Sequence, residues 1–573
     1  MYPISWSKVS FRLFLMATEV SKTHLKTCLL VFLIFSFLSI SLSFIKPQGS
    51  PLSTTSQLFN GRTNPVCDGL RRLKDYKSIC SFIQSNNPCV SQGFLDYLYL
   101  FYCICGRWPP LGYSILSIWL ILLFYLLGNT ASEYFCSSLE SLSRVLKLSP
   151  AIAGVTLLSL GNGAPDGFAS LVSFTGTGAR RVGLNSVVGG ALFVSCVVVG
   201  IISTFMGPHQ SLIDKSDFVR DICFLLLGVV SLISIMIIGA INIWGAVAFV
   251  SLYFIYVLVV YFMHFHRSRN TEDFGIDSGG ELSEPILGNC EKDDLEGYCH
   301  KKEEEAGCRA SFGRLLYNIV VGLPLYLPRR LTIPVVSEER WSKPFAVASV
   351  TLAPVLLGAL WNSEKGSSIG SREGLVVYVI GGLIGITFGI LAFLTTEKES
   401  PPKKYILPWL VAGFLMSVTW SYMIAQELIG LLISLGYVIG VSPSILGLTV
   451  LAWGNSLGDL ITNCTMVAVN GGSDGVQVAM SGCYAGPTFN ILVGLGMSLV
   501  VSCWLAYPSS VLIPKDPLLL ETLALLVAGL VWALVILPKR NMKIDGFLGA
   551  GLLAIYLVSI SLRVIQALGV GSI

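Results

Sequence analysis

Long uninterrupted runs of apolar residues dominate the chain, and polar residues collect in the stretches between them. A charge-free run of about 18 residues is long enough to cross the hydrocarbon core of a bilayer as a helix. Helices are expected because the backbone must satisfy its own hydrogen bonds where water is absent. One such run precedes residue 46, and twelve follow residue 110, at approximately 111–146, 150–175, 182–206, 218–240, 243–264, 345–361, 374–393, 405–438, 443–468, 476–505, 518–537 and 547–567.

This pattern predicts an all-α polytopic membrane protein with about 12–13 transmembrane helices. The polar stretches divide the chain, and clusters of Lys and Arg between the runs predict which of them face the cytosol. The expected divisions are a signal peptide or uncleaved signal anchor (1–46), a lumenal or extracellular cysteine-containing segment (47–110), a first helical repeat (111–264), a charged and partly disordered cytosolic loop (265–344), two linking helices (345–395) and a second repeat (405–570).

The composition agrees with a membrane protein: 53% of the residues are hydrophobic and 13% are charged. Soluble domains are about a quarter charged, so this chain is not a typical soluble globular protein. The basic clusters lack interleaved aromatic residues, so we expect a lipid membrane and no nucleic acid as partner.

Cysteines cluster in the segment before residue 110. Cys67, Cys80 and Cys89, with Cys103 and Cys105 just beyond, can form disulfides if the segment faces an oxidising compartment. Their spacing is equally compatible with free thiols.

An internal repeat is the most informative feature of the sequence. Residues 148–166 read LSPAIAGVTLLSLGNGAPD, and residues 441–459 read VSPSILGLTVLAWGNSLGD. Ser149 aligns with Ser442 at an offset of 442 − 149 = 293, and no insertion interrupts the match. The corresponding helices of the two copies are seven spans apart along the chain, an odd number, so the copies cross the membrane in opposite directions. Inverted repeats of this kind are typical of secondary transporters.

Each copy carries an aspartate in its apolar run, Asp166 in the first and Asp459 in the second. A carboxylate at the bilayer centre costs about 2.5–3.5 kcal/mol on insertion scales, and such residues usually have a function. The structural alternative is an aspartate that caps a broken helix. Spacing of i, i+4 and i+8 puts polar residues on one helical face in both copies; these are Asn162, Asp166 and Ser170, and Asn455, Asp459 and Asn463.

Small residues and proline accompany both aspartates, and we expect them to loosen or break the helices locally. They are Gly161, Gly163, Pro165, Gly454 and Gly458. Unwinding would free backbone oxygens around Thr156 and Thr449. Together with the side-chain oxygens they would form a cage of hard ligands, of which Ca²⁺ takes about 6–8. Either aspartate could instead carry a proton.

The motifs GNGAPD at 161–166 and GNSLGD at 454–459, with the stretch 323–344, resemble the plant cation/calcium exchanger branch of the Ca²⁺/cation antiporter superfamily. The resemblance implies antiport by alternating access, in which a two-helix bundle (111–146 and 407–438) slides against the rest. It implies that Asp166 and Asp459 bind the cations beside Asn162 and Asn455. Asn490 in AGPTFN retains a polar ligand position, whereas its counterpart in the first repeat is Val194.

The resemblance further implies transport of Ca²⁺, K⁺ or Na⁺ against H⁺ or Na⁺, with no cofactor, in a vacuolar, endomembrane or plasma membrane. A cation channel is the first alternative. An intramembrane aspartyl protease is the second, although Pro165 precedes Asp166 and Ser456 replaces the first glycine of the Gly-x-Gly-Asp motif expected there. Glu133 and Glu427 are candidates for accessory ligands or gate elements, or for hydrogen bonds between helices.

Overall fold

The structure is a computed structural model that describes residues 75–84, 93–138, 141, 159–175, 180–206, 212–273, 323–337, 340–364, 372–398, 400–402, 406–470 and 473–567. Some sequence predictions lie outside these residues: the apolar run before residue 46, the middle of the predicted charged loop (274–322), Cys67, Cys89, Thr156 and the side chain of Asn162.

The first part of the chain forms two short helices and then the first repeat. The helices are α1 (Tyr76–Gln84), α2 (Tyr97–Tyr99), α3 (Pro109–Thr130), α4 (Ser159–Thr175), α5 (Arg180–Phe193), α6 (Val199–Met206), α7 (Lys215–Ile238) and α8 (Ile243–Asp273). π-helical turns extend α2 (Leu100–Ile104) and α3 (Ala131–Cys136) and join α5 to α6 (Val194–Val198). A two-residue strand, β1 (Ala240–Ile241), separates α7 from α8.

The second part begins with a linking region and ends with the second repeat. Its helices are α9 (Leu323–Arg330), α10 (Lys343–Glu364), α11 (Arg372–Thr395), α12 (Ile406–Ile439), α13 (Pro443–Leu446), α14 (Ala452–Asn470), α15 (Ser473–Phe489), α16 (Gly496–Ala506), α17 (Pro517–Lys539) and α18 (Gly546–Ala567). π-helical turns join α13 to α14 (Gly447–Leu451) and α15 to α16 (Asn490–Leu495), and β2 (Val511–Leu512) precedes α17.

Eleven spans of the described part are long and apolar enough to cross a membrane. The 17-residue helix α4, which bears Asp166, is a further helix beside these eleven. Local sequence sets several helix ends. Asp214 caps α7 and Asp516 caps α17 by accepting backbone N–H groups of the first turn, and Gly239 ends α7 with a positive φ of 79°.

Two pairs of loops show the inverted symmetry directly. β1, in the loop after α7, pairs with β2, in the loop before α17. Leu212, before α7, bridges to Lys543, after α17. Each pair joins the loop between the third and fourth membrane helices of one repeat to the loop between the fourth and fifth membrane helices of the other. One membrane crossing, by α7 or by α17, lies between the two pairs of loops, so the pairs lie at opposite faces of the membrane. The two-fold axis that relates the repeats therefore lies in the membrane plane.

The apolar core has two main clusters. One joins the later helices of both repeats, for example Leu192, Leu225 and Leu526. The other joins α3 and α12 to α4, for example through Leu127 and Leu428. The two long helices α3 and α12 therefore form a bundle of their own, and α4 lies between that bundle and the remaining helices.

Two features of the segments outside the repeats concern the predicted loop and the cysteine cluster. The pair Arg329 and Arg330 belongs to the predicted cytosolic loop, yet both side chains are buried, because the end of this loop packs on the bundle. In the cysteine cluster, Cys80 is bonded to Cys103, whereas Cys105 is a buried free thiol.

Candidate cation-binding site

The two aspartates come from the second helix of each repeat and both point into the protein. Asp166 lies on α4 and is 3% exposed, and Asp459 lies on α14 and is 7% exposed. The two carboxyl groups are near enough to interact electrostatically. Neither carboxyl group is directed at lipid or at bulk solvent, so the two oppositely directed helices contribute acidic groups to one interior region.

Asp166 is bound by two amides of the other repeat. Asn455 Nδ2 donates to Asp166 Oδ1 at 2.9 Å, and Asn490 Nδ2 donates to Asp166 Oδ2 at 2.8 Å. Gly190 on α5 lies against the same carboxylate, since a Cβ atom there would be 3.2 Å from Asp166 Oδ2. The site is therefore composite, because the acid of the first repeat is held by residues of the second.

Asp459 has a different environment. Asn463, four residues later, donates its amide to the backbone oxygen of Asp459 at 2.8 Å and not to the carboxylate. Among the residues that the structure describes, no side-chain donor contacts the Asp459 carboxylate. The residue equivalent to Asn490 in the first repeat is Val194, which is buried and has no polar atom in its side chain. The two halves of the region are thus chemically unequal.

Several buried oxygens near the aspartates have no hydrogen-bond partner within the described part of the chain. They are Ser170 Oγ, Asn455 Oδ1, Asn490 Oδ1 and Ser456 Oγ. Buried polar atoms normally have partners, and exceptions call for a specific explanation such as an absent ion or water. Carboxylate, amide and hydroxyl oxygens are the ligands that hard cations such as Ca²⁺, Na⁺ and K⁺ prefer.

The helices are not broken at the residues that were expected to break them. α4 continues through Gly161, Gly163 and Pro165, and α14 continues through Gly454 and Gly458. The distortions are π-helical turns, and one of them lies just before Gly454, at 447–451. Two more start at Val194 and Asn490, at equivalent places in the third helix of each repeat. Such wide turns are often found at functional sites.

The glycines serve close packing instead. A Cβ atom at Gly163 would be 2.1 Å from Asn490 Oδ1, and one at Gly454 would be 2.0 Å from the ring of Phe124 on α3. Gly163 therefore leaves room for the amide that binds Asp166. A Cβ atom at Gly458, by contrast, would meet open space.

Among the remaining candidates, Thr449 uses its hydroxyl within its own helix, where it donates to Ile445 O at 2.7 Å. Sequence reasoning missed Ser456 and Gly190. Ser456 is fully buried, and its Oγ would be 3.1 Å from a Cβ atom at Gly190. Ser456 could have been found from the sequence, because it aligns with Gly163 in the repeat. Gly190 has no side chain that a sequence pattern would single out.

Comparison with known proteins places the chain in a family. The family model described as sodium/calcium exchanger protein matches residues 116–262 and 409–565, which are the two repeats. The chain is 55% identical to cation/calcium exchanger 2 of Arabidopsis thaliana, over 88% of this chain and 91% of that protein. It is 50% identical to cation/calcium exchanger 1 of the same species, over 97% and 99%. The chain belongs to the sodium/calcium exchanger family.

A more distant relative is the mitochondrial sodium/calcium exchanger protein of Rattus norvegicus, which is 30% identical over 86% of this chain and 88% of that protein. As an exchanger of this family, the chain is a multi-pass integral membrane transporter of cations and not an enzyme. The family therefore removes the aspartyl protease alternative, although both hypotheses started from the same two aspartates.

Proposed function

We propose that this exchanger is an antiporter that binds its cations between Asp166 and Asp459 and moves them by alternating access. One observation carries the proposal. Two buried carboxyl groups from oppositely directed helices face the same interior region, beside buried oxygens that lack partners in the described part of the chain. Inverted repeats with a midplane site are the usual architecture of such transporters.

The chemistry of the site favours hard inorganic cations. Its candidate ligands are the oxygens of the two aspartates, of Asn455 and Asn490, and of serines such as Ser170. Two negative charges match one Ca²⁺ ion, or Na⁺ and K⁺ ions bound in turn, and H⁺ can replace a cation on either carboxylate. We therefore propose transport of Ca²⁺, K⁺ or Na⁺ in exchange for H⁺ or Na⁺.

The bundle of α3 and α12 is the proposed moving part. Its apolar cluster is separate from that of the later helices, and α4 lies between them with Asp166. Sliding of the bundle would open the site first to one face and then to the other, while the later helices keep Asn490 in place.

Counter-ion dependence tests the proposal. Purified protein is reconstituted into liposomes, and ⁴⁵Ca²⁺, Rb⁺ or Na⁺ uptake is measured with H⁺, Na⁺ or no exchangeable ion inside. An antiporter requires a counter-ion on the far side. Flux that is indifferent to the counter-ion would identify a channel and refute exchange.

Asp166→Asn and Asp459→Asn then test the site. Each substitution removes one negative charge but preserves the shape of the side chain, so we expect transport to be abolished while expression is retained. Glu373→Gln is the control, because Glu373 is exposed in the first turn of α11 and its substitution also removes one negative charge. Normal flux in either site variant removes that residue from the cation site.

A further inference from the structure

Glu133 and Glu427 occupy equivalent places in the two bundle helices, and the cation site does not use them. Their offset is 427 − 133 = 294, within one residue of the repeat offset. Glu133 lies in the π-helical turn that ends α3, and Glu427 lies within α12. Each is bound by a segment from outside the repeats.

Glu427 is bound by the chain before α3. The backbone N–H of Phe94 and the hydroxyl of Tyr97 donate to its two carboxylate oxygens. Trp119 on α3 in turn donates Nε1 to the Tyr97 hydroxyl at 3.0 Å. A side chain at Gly93 would collide with the carboxylate, since its Cβ atom would lie 2.9 Å from Glu427 Oε2. This segment therefore links α12 to α3.

A disulfide and an apolar contact hold the same segment together. Cys80 on α1 is bonded to Cys103 in the π-helical turn after α2. Ile79 is buried in a small cluster that includes Tyr437 and Val438, near the end of α12. We call residues 75–84 and 93–104 the N-terminal clamp.

Glu133 is bound by the end of the central loop. Arg340 Nη2 lies 3.0 Å from Glu133 Oε2. One turn earlier on α3, Arg329 Nη1 donates to Asn129 Oδ1 at 2.7 Å and to Thr130 Oγ1 at 2.9 Å. These contacts explain why Arg329 is buried although it belongs to a charged loop.

The same loop end also binds α12. Trp420 Nε1 donates to Thr332 Oγ1 at 2.8 Å. A Cβ atom at Gly413 would be 2.4 Å from Pro334 O, so the loop backbone lies directly on the helix. Ile333 is buried in the cluster that joins both bundle helices. We call residues 323–337 and Arg340 the central clamp.

We propose that Glu133 and Glu427 are positioning residues, each of which anchors a clamp that holds α3 and α12 together as one moving body. This inference rests on the proposed exchange by bundle movement. It assigns the glutamates a role other than cation binding, because both oxygens of Glu427 already accept donors and Glu133 is paired with Arg340. α3 and α12 run antiparallel, because Gly413 near the start of α12 lies beside Ser138 just after the end of α3, whereas Glu427 is linked through Tyr97 to Trp119 in the first half of α3. The two clamps therefore lie toward opposite ends of the bundle.

Glu427→Gln and Glu133→Gln test the proposal, with Glu373→Gln as control because Glu373 is exposed in the first turn of α11. Hydrogen exchange of the purified full chain measures how firmly the clamp segments are held and needs no transport assay. Loss of a hydrogen bond to a charged group should speed exchange in residues 93–104 of Glu427→Gln about tenfold or more, and in residues 323–337 of Glu133→Gln. Exchange in residues 473–506 should not change.

Flux supplies the second readout. We expect each variant to lower turnover about tenfold while the half-saturating cation concentration stays at the wild-type value, because the cation site is intact. Tyr97→Phe removes one donor but retains the charge of Glu427, so it carries the test if Glu427→Gln does not fold. Like Glu427→Gln, it should speed hydrogen exchange in residues 93–104 and lower turnover.

Two results overturn the inference. Wild-type hydrogen exchange at the clamps in the Gln variants and Tyr97→Phe would show that the glutamates anchor nothing. A tenfold rise in the half-saturating concentration at unchanged turnover would make a glutamate a cation ligand instead. If the wild-type protein shows flux that ignores the counter-ion, the proposed function fails by itself, and hydrogen exchange still decides whether the clamps exist.

Discussion

Gly163→Ala is the most specific perturbation that the site suggests. The new methyl carbon would be 2.1 Å from Asn490 Oδ1 and 2.8 Å from Phe489 Cδ1, both closer than van der Waals contact allows. Asn490 must move, and its 2.8 Å hydrogen bond to Asp166 is then lost. A hydrogen bond to a charged group contributes about 1.5–3 kcal/mol. Since about 1.4 kcal/mol is a factor of ten, the half-saturating cation concentration should rise about 10- to 150-fold.

Gly167→Ala is the matched control. It lies one turn further along α4, and its Cβ atom would be 3.8 Å from Gly494 Cα, an ordinary contact. Both substitutions gain about 1 kcal/mol of helix propensity, so they differ in the collision alone. The assay is counter-ion-driven flux in liposomes as a function of cation concentration. If Gly163→Ala and Gly167→Ala both keep the wild-type half-saturating concentration, the reasoning about Asn490 is refuted.

Three further predictions follow from other contacts. Asn490→Val should raise the half-saturating cation concentration about tenfold or more, because it removes the amide from Asp166; an unchanged value in the flux assay would exclude Asn490 from the site. Cys80→Ser should destabilise the protein by about 2–4 kcal/mol, and reductant should lower the melting temperature of the wild type but not of this variant. Burial and then the hydrogen bond to Glu427 raise the pKa of Tyr97 above its ordinary value of 10.0, so this contact stabilises the fold fully below pH 10 and loses that contribution as the pH rises further. The tyrosinate absorbance of the wild type minus that of Tyr97→Phe measures this titration, and a step below pH 10 would contradict the prediction.

Sequence patterns were sufficient to locate the membrane helices and to single out the two aspartates that the structure buries. The apolar runs give the crossings because hydrophobic length is a local property, as in the run 518–537, which forms α17 (Pro517–Lys539). Asp166 and Asp459 stood out because charge in an apolar run is costly and the repeat presents it twice. That both would be buried near each other followed from the inverted topology.

Other features depend on contacts between distant residues, which local patterns do not report. The helix 243–264 was expected to end at the membrane, yet α8 continues to Asp273, because a helix can extend beyond the bilayer into water. Arg329 was assigned to a solvated loop, and only its partners on α3 explain its burial. Glycine at 163 suggested a broken helix, whereas the structure uses the missing side chain to admit Asn490.

The hydrogen bonds of Asp166 also affect how the protein is made. Its two amide partners follow 289 and 324 residues later in the chain. At about 5–20 residues per second, synthesis takes about 15–65 s to deliver the second of them after Asp166 has been translated. During that interval the second helix carries an acidic group without its final partners. Assembly of the carboxylate environment is therefore post-insertional, and it is completed only after Asn490 has left the ribosome.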